Sequence, residues 1–213
     1  GLSAELEEYA KRLSSWSLNR RGELYAEQAA KALQAGDKQR SRGLDGKALA
    51  DFEQAVAYEP TRWKPLHTRG VSYALSGNYE KALSDFSRVV ELKPDYANAW
   101  FNLGEIHLEL AQLDQAVQDY ARAIQLQPDD FGAVLGRGKA QLRLRHFAES
   151  LDDLQRAVAL KPESVDACLN RGTAYQGLGM WEQAAADFRQ ANTLDKSSAQ
   201  AYQAAAWLMA TCP

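Results

Sequence analysis

Four prolines, Pro60, Pro94, Pro128 and Pro162, stand 34 residues apart, and the residues around them recur in step. Small residues return at Ala48, Ala82, Ala116, Ser150 and Ala184, and large apolar ones at Phe52, Phe86, Tyr120, Leu154 and Phe188. Gly70, Gly104, Gly138 and Gly172 keep the same period, with Tyr73, His107, Gln141 and Tyr175 three residues further on. A fixed period of this length makes the chain an array of small units, because each unit buries its apolar face only by stacking on its neighbours.

Within a unit the spacing is helical. Leu66, Gly70 and Tyr73 fall at i, i+4 and i+7, as do Trp100, Gly104 and His107, and Ala82, Phe86 and Val89 draw a second stripe. Ser76-Gly77-Asn78 separates the two runs, and Leu-Lys-Pro-Asp or Leu-Gln-Pro-Asp follows the second. Proline cannot continue a helix, so each unit reads as two antiparallel helices. A mid-helix glycine costs roughly 1 kcal/mol against alanine. Its recurrence therefore needs a reason, and close approach of the Tyr120 ring to the backbone at Gly104 supplies one.

These residues resemble the tetratricopeptide repeat. Residues 97–130 are similar to its pattern at Trp100, Leu103, Gly104, Ala116, Tyr120, Ala123 and Pro128, with His107 standing where tyrosine is usual. Units 63–96, 131–164 and 165–198 match a little less well, and Lys196 replaces the last proline. The resemblance implies an all-α fold, a right-handed α-solenoid of antiparallel helix pairs, and a non-catalytic scaffold that binds protein segments.

The ends are irregular. Leu18, Arg21, Gly22 and Tyr25 read as the first helix of a unit over 15–62, but Gly22 to Ala48 is 14 residues longer than Gly70 to Ala82. Fourteen residues are four helical turns, so seven added to each helix keep their faces in register. The insertion, about 29–42, predicts a protruding arm tipped near Gly36-Asp37, with Gly43 and Gly46 making the return partly loop; a plain surface insertion is the alternative. Residues 1–14 carry Leu2, Leu6, Tyr9 and Leu13 and read as a capping helix, or one lying in the groove. Residues 199–213 begin a further first helix or cap with Tyr202 in place and no second helix after it, so the sequence reads as a truncated piece of something larger.

Composition narrows the classes. The formal charge is −3 with signs mixed, which excludes a basic nucleic-acid footprint, and no apolar run is long enough to span a membrane. The cytoplasm is the default location. Cys168 and Cys212 set no disulfide framework, and Cys168 falls at an inward position. His67, His107 and His146 form no metal-ligand spacing, so neither metal nor cofactor is expected, and no catalytic constellation appears. Asp51, Asp85, Asp119, Asp153 and Asp187 recur before the large apolar position, and Arg21, Arg69, Arg137 and Arg171 before the glycine. They form either a ligand ladder or, as preferred, pairs between neighbouring helices; Leu103 breaks the series and leaves Asp119 as the expected unpartnered carboxylate.

The resemblance places the first helices along a concave groove. The groove set is His67, Val71, Phe101, Glu105, Leu108, Leu135, Lys139, Leu142, Leu169, Thr173 and Gln176, with Asn102 and Asn170 where related proteins grip a peptide backbone. Phe101, Leu135 and Leu169 read as an exposed apolar stripe, open to a partner or buried within the chain, with Lys139 and Arg143 to meet an acidic group. Val71 and Gly136 stand where a carboxylate clamp would need asparagine and arginine, so a chaperone C-terminus is not expected. The leading reading is a scaffold for a helical or extended apolar segment of a protein. Self-association through the groove or a C-terminal helix bearing Tyr202 and Trp207, and a regulatory or targeting part of a larger enzyme, are the alternatives.

Overall fold

The computed structural model describes residues 2–196, so Tyr202, Trp207 and the C-terminal run lie outside the described residues. Those residues form ten helices and no strand: α1 (Leu2–Gln34), α2 (Lys38–Tyr58), α3 (Trp63–Leu75), α4 (Tyr79–Leu92), α5 (Ala97–Glu109), α6 (Leu113–Leu126), α7 (Phe131–Arg143), α8 (Phe147–Leu160), α9 (Val165–Gly177) and α10 (Trp181–Leu194). The fold is an all-α solenoid of antiparallel helix pairs. The chain divides into two compact units, one ending at Asn102 and one starting at Leu103, within α5. The 34-residue period resolves into first helices of 13 residues and second helices of 14. The turn between them places one residue in the left-handed region at Gly77, Ala111, Arg145 and Gly179, a conformation that costs alanine and arginine but not glycine.

One contact joins the helices of each pair. In the first unit the ring of Phe52 covers Gly22 and that of Phe86 covers Gly70. In the second, Tyr120 covers Gly104, Leu154 covers Gly138 and Phe188 covers Gly172. Tyr120 is enclosed on two sides: a methyl group on Gly104 would come within 2.8 Å of its ring, and one on Gly136 within 2.5 Å. Its hydroxyl donates to Glu105. The residues flanking this contact are charged and paired. Arg21, Arg69, Arg137 and Arg171 each donate two hydrogen bonds to Asp51, Asp85, Asp153 and Asp187, at 2.6–2.8 Å. The aspartates are buried. The pairs are structural, between helices, as preferred from the sequence. Asp119 is not the unpartnered carboxylate expected: His107 Nδ1 lies 2.6 Å from its Oδ2, one turn along α5 from the position arginine holds elsewhere.

The first pair is longer. The structure has α1 at 33 residues and α2 at 21, with the reversal at Gly36, whose φ of +81° suits glycine. Asp37 caps α2 by accepting from the Arg40 amide. Gly43 and Gly46 lie within α2, correcting the expectation of a partly looped return; the helix-forming residues around them outweigh two glycines. The separate capping helix over 1–14 is corrected too. No proline or glycine interrupts residues 2–14, so α1 continues through them, and Leu6, Tyr9 and Leu13 are exposed, neither capping the first pair nor lying in a groove of the described residues.

Two stability predictions follow from the joints. Gly104→Ala and Gly136→Ala each destabilise by about 1–3 kcal/mol, since the enclosed Tyr120 ring must move. Gly43→Ala and Gly46→Ala, with nothing within 4 Å, raise stability instead. Urea unfolding of the four variants checks the contrast. Arg171→Met leaves Asp187 buried without its bidentate donor and lowers stability by about 1–3 kcal/mol, read in the same assay.

Candidate functional site

The first helices carry the candidate residues, and their positions separate into two sets. One set lies two or three residues before the recurring glycine and faces the next first helix. In the first unit Asn19 on α1 is buried and accepts a hydrogen bond from Thr68 on α3, at 2.6 Å. His67 on α3 occupies the equivalent of Asn19, and Asn102 on α5 that of Thr68. Asn102 Nδ2 lies 3.1 Å from His67 Nε2, so the amide donates to an unprotonated ring nitrogen. The ring also packs on Phe86 and Tyr96, with centroids 5.8 and 5.1 Å away. Burial pushes the His67 imidazole down to about 4.

Both asparagines are hydrogen-bonded within the chain. Asn102 is engaged by His67, and Asn170 donates to the Asp166 carbonyl and carboxylate on its own helix, both at 2.7 Å. Their amides close internal contacts where a peptide grip was expected. The exposed apolar stripe is corrected as well. Leu108, Leu135 and Leu169 are each only 8 % exposed, and Phe101 is half-buried. For Leu135 and Leu169 the physical reason is register: the position three before glycine, read from the sequence as groove, is where one first helix approaches the next.

The second set, one and four or five residues past the glycine, reaches the surface except at Leu108. In the second unit Glu105, Arg143 and Thr173 are exposed, while Lys139, Leu142 and Gln176 are half-buried, as is Val71 in the first. Lys139 Nζ on α7 meets the Asp166 carboxylate on α9 at 3.1 Å. Arg143 donates to the Leu108 carbonyl at 2.8 Å, and the Thr173 hydroxyl to the Leu169 carbonyl of its own helix. Asp166 was missed from the sequence, yet a signal exists. Lys64 and Glu23 form the same bridge at 3.1 Å in the first unit, at the corresponding positions with signs reversed. Among the described residues no group of three or more His, Cys, Asp or Glu is placed to hold a metal ion, and no helix is long and apolar enough to cross a membrane. Cys168 is buried, and burial pushes its thiol pKa up.

The His67 environment has a pH consequence. The folded protein takes up this proton near pH 4 and the unfolded chain near 6.5, so protonation favours unfolding. Stability complete above pH 6.5 is lost progressively as pH falls through 4, by an amount on the order of 3 kcal/mol. Thermal melts at pH 7 and pH 4.5 should show a larger drop for the native chain than for His67→Gln, which keeps an acceptor for Asn102 but does not titrate. Equal drops would place the pH sensitivity elsewhere.

A family model described as tetratricopeptide repeat matches residues 67–131 and 135–201. Among solved structures, YrrB, a TPR protein with an unusual peptide-binding site, is 19 % identical, with 84 % of this chain and 89 % of that one covered at a TM-score of 0.69. MamA from Desulfovibrio magneticus RS-1, from its residue 41 onward, is 22 % identical over 84 % of this chain and 97 % of that one, at 0.69. The Arabidopsis OM64 TPR domain is 30 % identical over 54 % of this chain and 95 % of that one, at 0.53. A search of curated proteins returned no match. With the period, the helix pairs and the family match in agreement, this chain belongs to the tetratricopeptide-repeat family.

Proposed function

We propose that the chain is a non-catalytic interaction module that takes an extended or helical protein segment on the first-helix face of its second unit. The segment carries an acidic side chain beside apolar ones. The observation that carries this reading is the Lys139–Asp166 bridge. Its partners are 38 % and 53 % exposed, so the bridge contributes no more than about 1 kcal/mol, and a partner's carboxylate can replace Asp166 at small cost. Leu142 and the edges of Leu135 and Leu169 provide the apolar floor beneath, and Arg143, Thr173 and Gln176 the polar rim. Steering by charge and affinity from the floor fit a site that discriminates by the placement of one acid. Family membership supports a protein or peptide partner, and YrrB, a TPR protein with an unusual peptide-binding site, offers a parallel on the same fold.

Screening the purified chain against an array of acidic, neutral and basic apolar peptides tests the reading. Acidic members should bind, and amide shifts on titration should concentrate on α7 and α9. Lys139→Glu should weaken the acidic binders by about tenfold and favour basic ones, because the local field reverses. Binding that is indifferent to this reversal would put the site elsewhere.

A further inference from the structure

Among the described residues, a run of exposed large apolar side chains that the groove does not explain lies on the first half of α1. Residues 3–13 are exposed on every face, and about 16 Å of helix therefore stands without tertiary support from the other described residues. Leu6, Tyr9, Leu13 and Trp16 alternate at spacings of three and four, which draws one seam along that helix, and they are 61 %, 61 %, 50 % and 57 % exposed. An unsupported helix this short is marginal in water, and a seam of two aromatics and two leucines adds the cost of hydrated apolar surface. From Ser15 onward α1 is docked: the Ser15 hydroxyl donates to the Ala55 carbonyl, and Asn19 joins Thr68. The seam is thus held on a rigid base and has no cover within the described part of its own unit.

We propose that this segment pairs antiparallel with the same segment of a second copy of the chain. Charge decides both the partner and its direction. Glu5 and Arg12 each stand one residue before a leucine of the seam, on the same flank, while Ser3, Ala10 and Ser17 on the opposite flank carry no charge. In a parallel pair each charged flank meets the other helix's uncharged flank. In an antiparallel pair like flanks face one another, and Glu5 of each copy meets Arg12 of the other. The Lys11–Glu7 bridge lies on the outward side and does not compete. Arg12 meets Glu8 of its own helix at 3.4 Å, an exposed pair that contributes little and can be shared with a second carboxylate. Glu5, Glu7 and Glu8 outnumber Lys11 and Arg12, so the segment lacks the excess of positive charge that an anionic membrane surface would select.

Light scattering on the purified chain from low to high micromolar concentration, with circular dichroism as a folding control, tests the pairing. The native chain should dimerise. Glu5→Arg and Arg12→Glu should each weaken the dimer by about tenfold, since both symmetry-related attractions become repulsions. Mixing the two variants should restore it. In the mixed dimer the two substituted side chains face each other with opposite charge, and a native Glu5–Arg12 contact forms at the second position. Leu13→Glu should abolish the dimer while preserving helix content. A native chain that stays monomeric, a Glu5→Arg variant that dimerises as well as the native chain, or a mixture that fails to recover overturns the proposal. So does a monomer that partitions onto anionic phospholipid vesicles through this seam.

Discussion

The contact of a large side chain with a bare helical backbone organises every pair in this protein. Where Phe52, Phe86, Tyr120, Leu154 or Phe188 lies on its glycine, the two helices approach closely enough for the neighbouring polar partners to meet, arginine with aspartate in four of the five pairs. The pairing in turn depends on that approach, since a carboxylate buried without a donor would cost more than the pair contributes. Tyr120 shows the limit of the arrangement. Glycines on two sides leave its ring no room to shift, and its hydroxyl needs Glu105.

Variation on the joint is instructive. Where Leu103 stands in place of arginine, His107 reaches Asp119 from the next turn of the helix, in the position usually held by tyrosine. The departure from the family pattern at 107 and the break in the arginine series at 103 are one substitution in physical terms, a donor moved by a turn. The same economy appears between first helices, where Asn19–Thr68 and His67–Asn102 place hydrogen bonds at corresponding positions. In the second unit leucines take the positions of Asn19 and His67, with Leu135 and Leu169 buried.

The polar surface that remains is the basis of the functional reading. Lys139 with Asp166, and Glu23 with Lys64, are the same bridge with charges exchanged, so the fold accepts either sign at these positions. The sign is free to serve a partner. In the proposed reading, a partner's carboxylate replaces one member of this exposed ion pair beside the leucine edges. The projecting half of α1 is a separate surface with its own seam and its own charge pattern.

Much was legible in the residues alone: the period, the helix pairs, the glycine joints and the Arg–Asp pairs all follow from side-chain size, proline chemistry and 3.6-residue spacing. Those are local or strictly periodic, and periodicity turns one local inference into five. The sequence could not say which surface positions face solvent, because that depends on how closely successive first helices pack. Leu135, Leu169, Asn102 and Asn170 looked open to a ligand; the leucines keep only their edges exposed, and the asparagines are hydrogen-bonded within the chain. Nor could composition show that α1 passes unbroken through residues 2–14, since a helix that continues and one that stops and folds back have the same amphipathic pattern. The sequence by itself determined the repeat and its joints; tertiary packing decided which of the remaining side chains are left for another molecule.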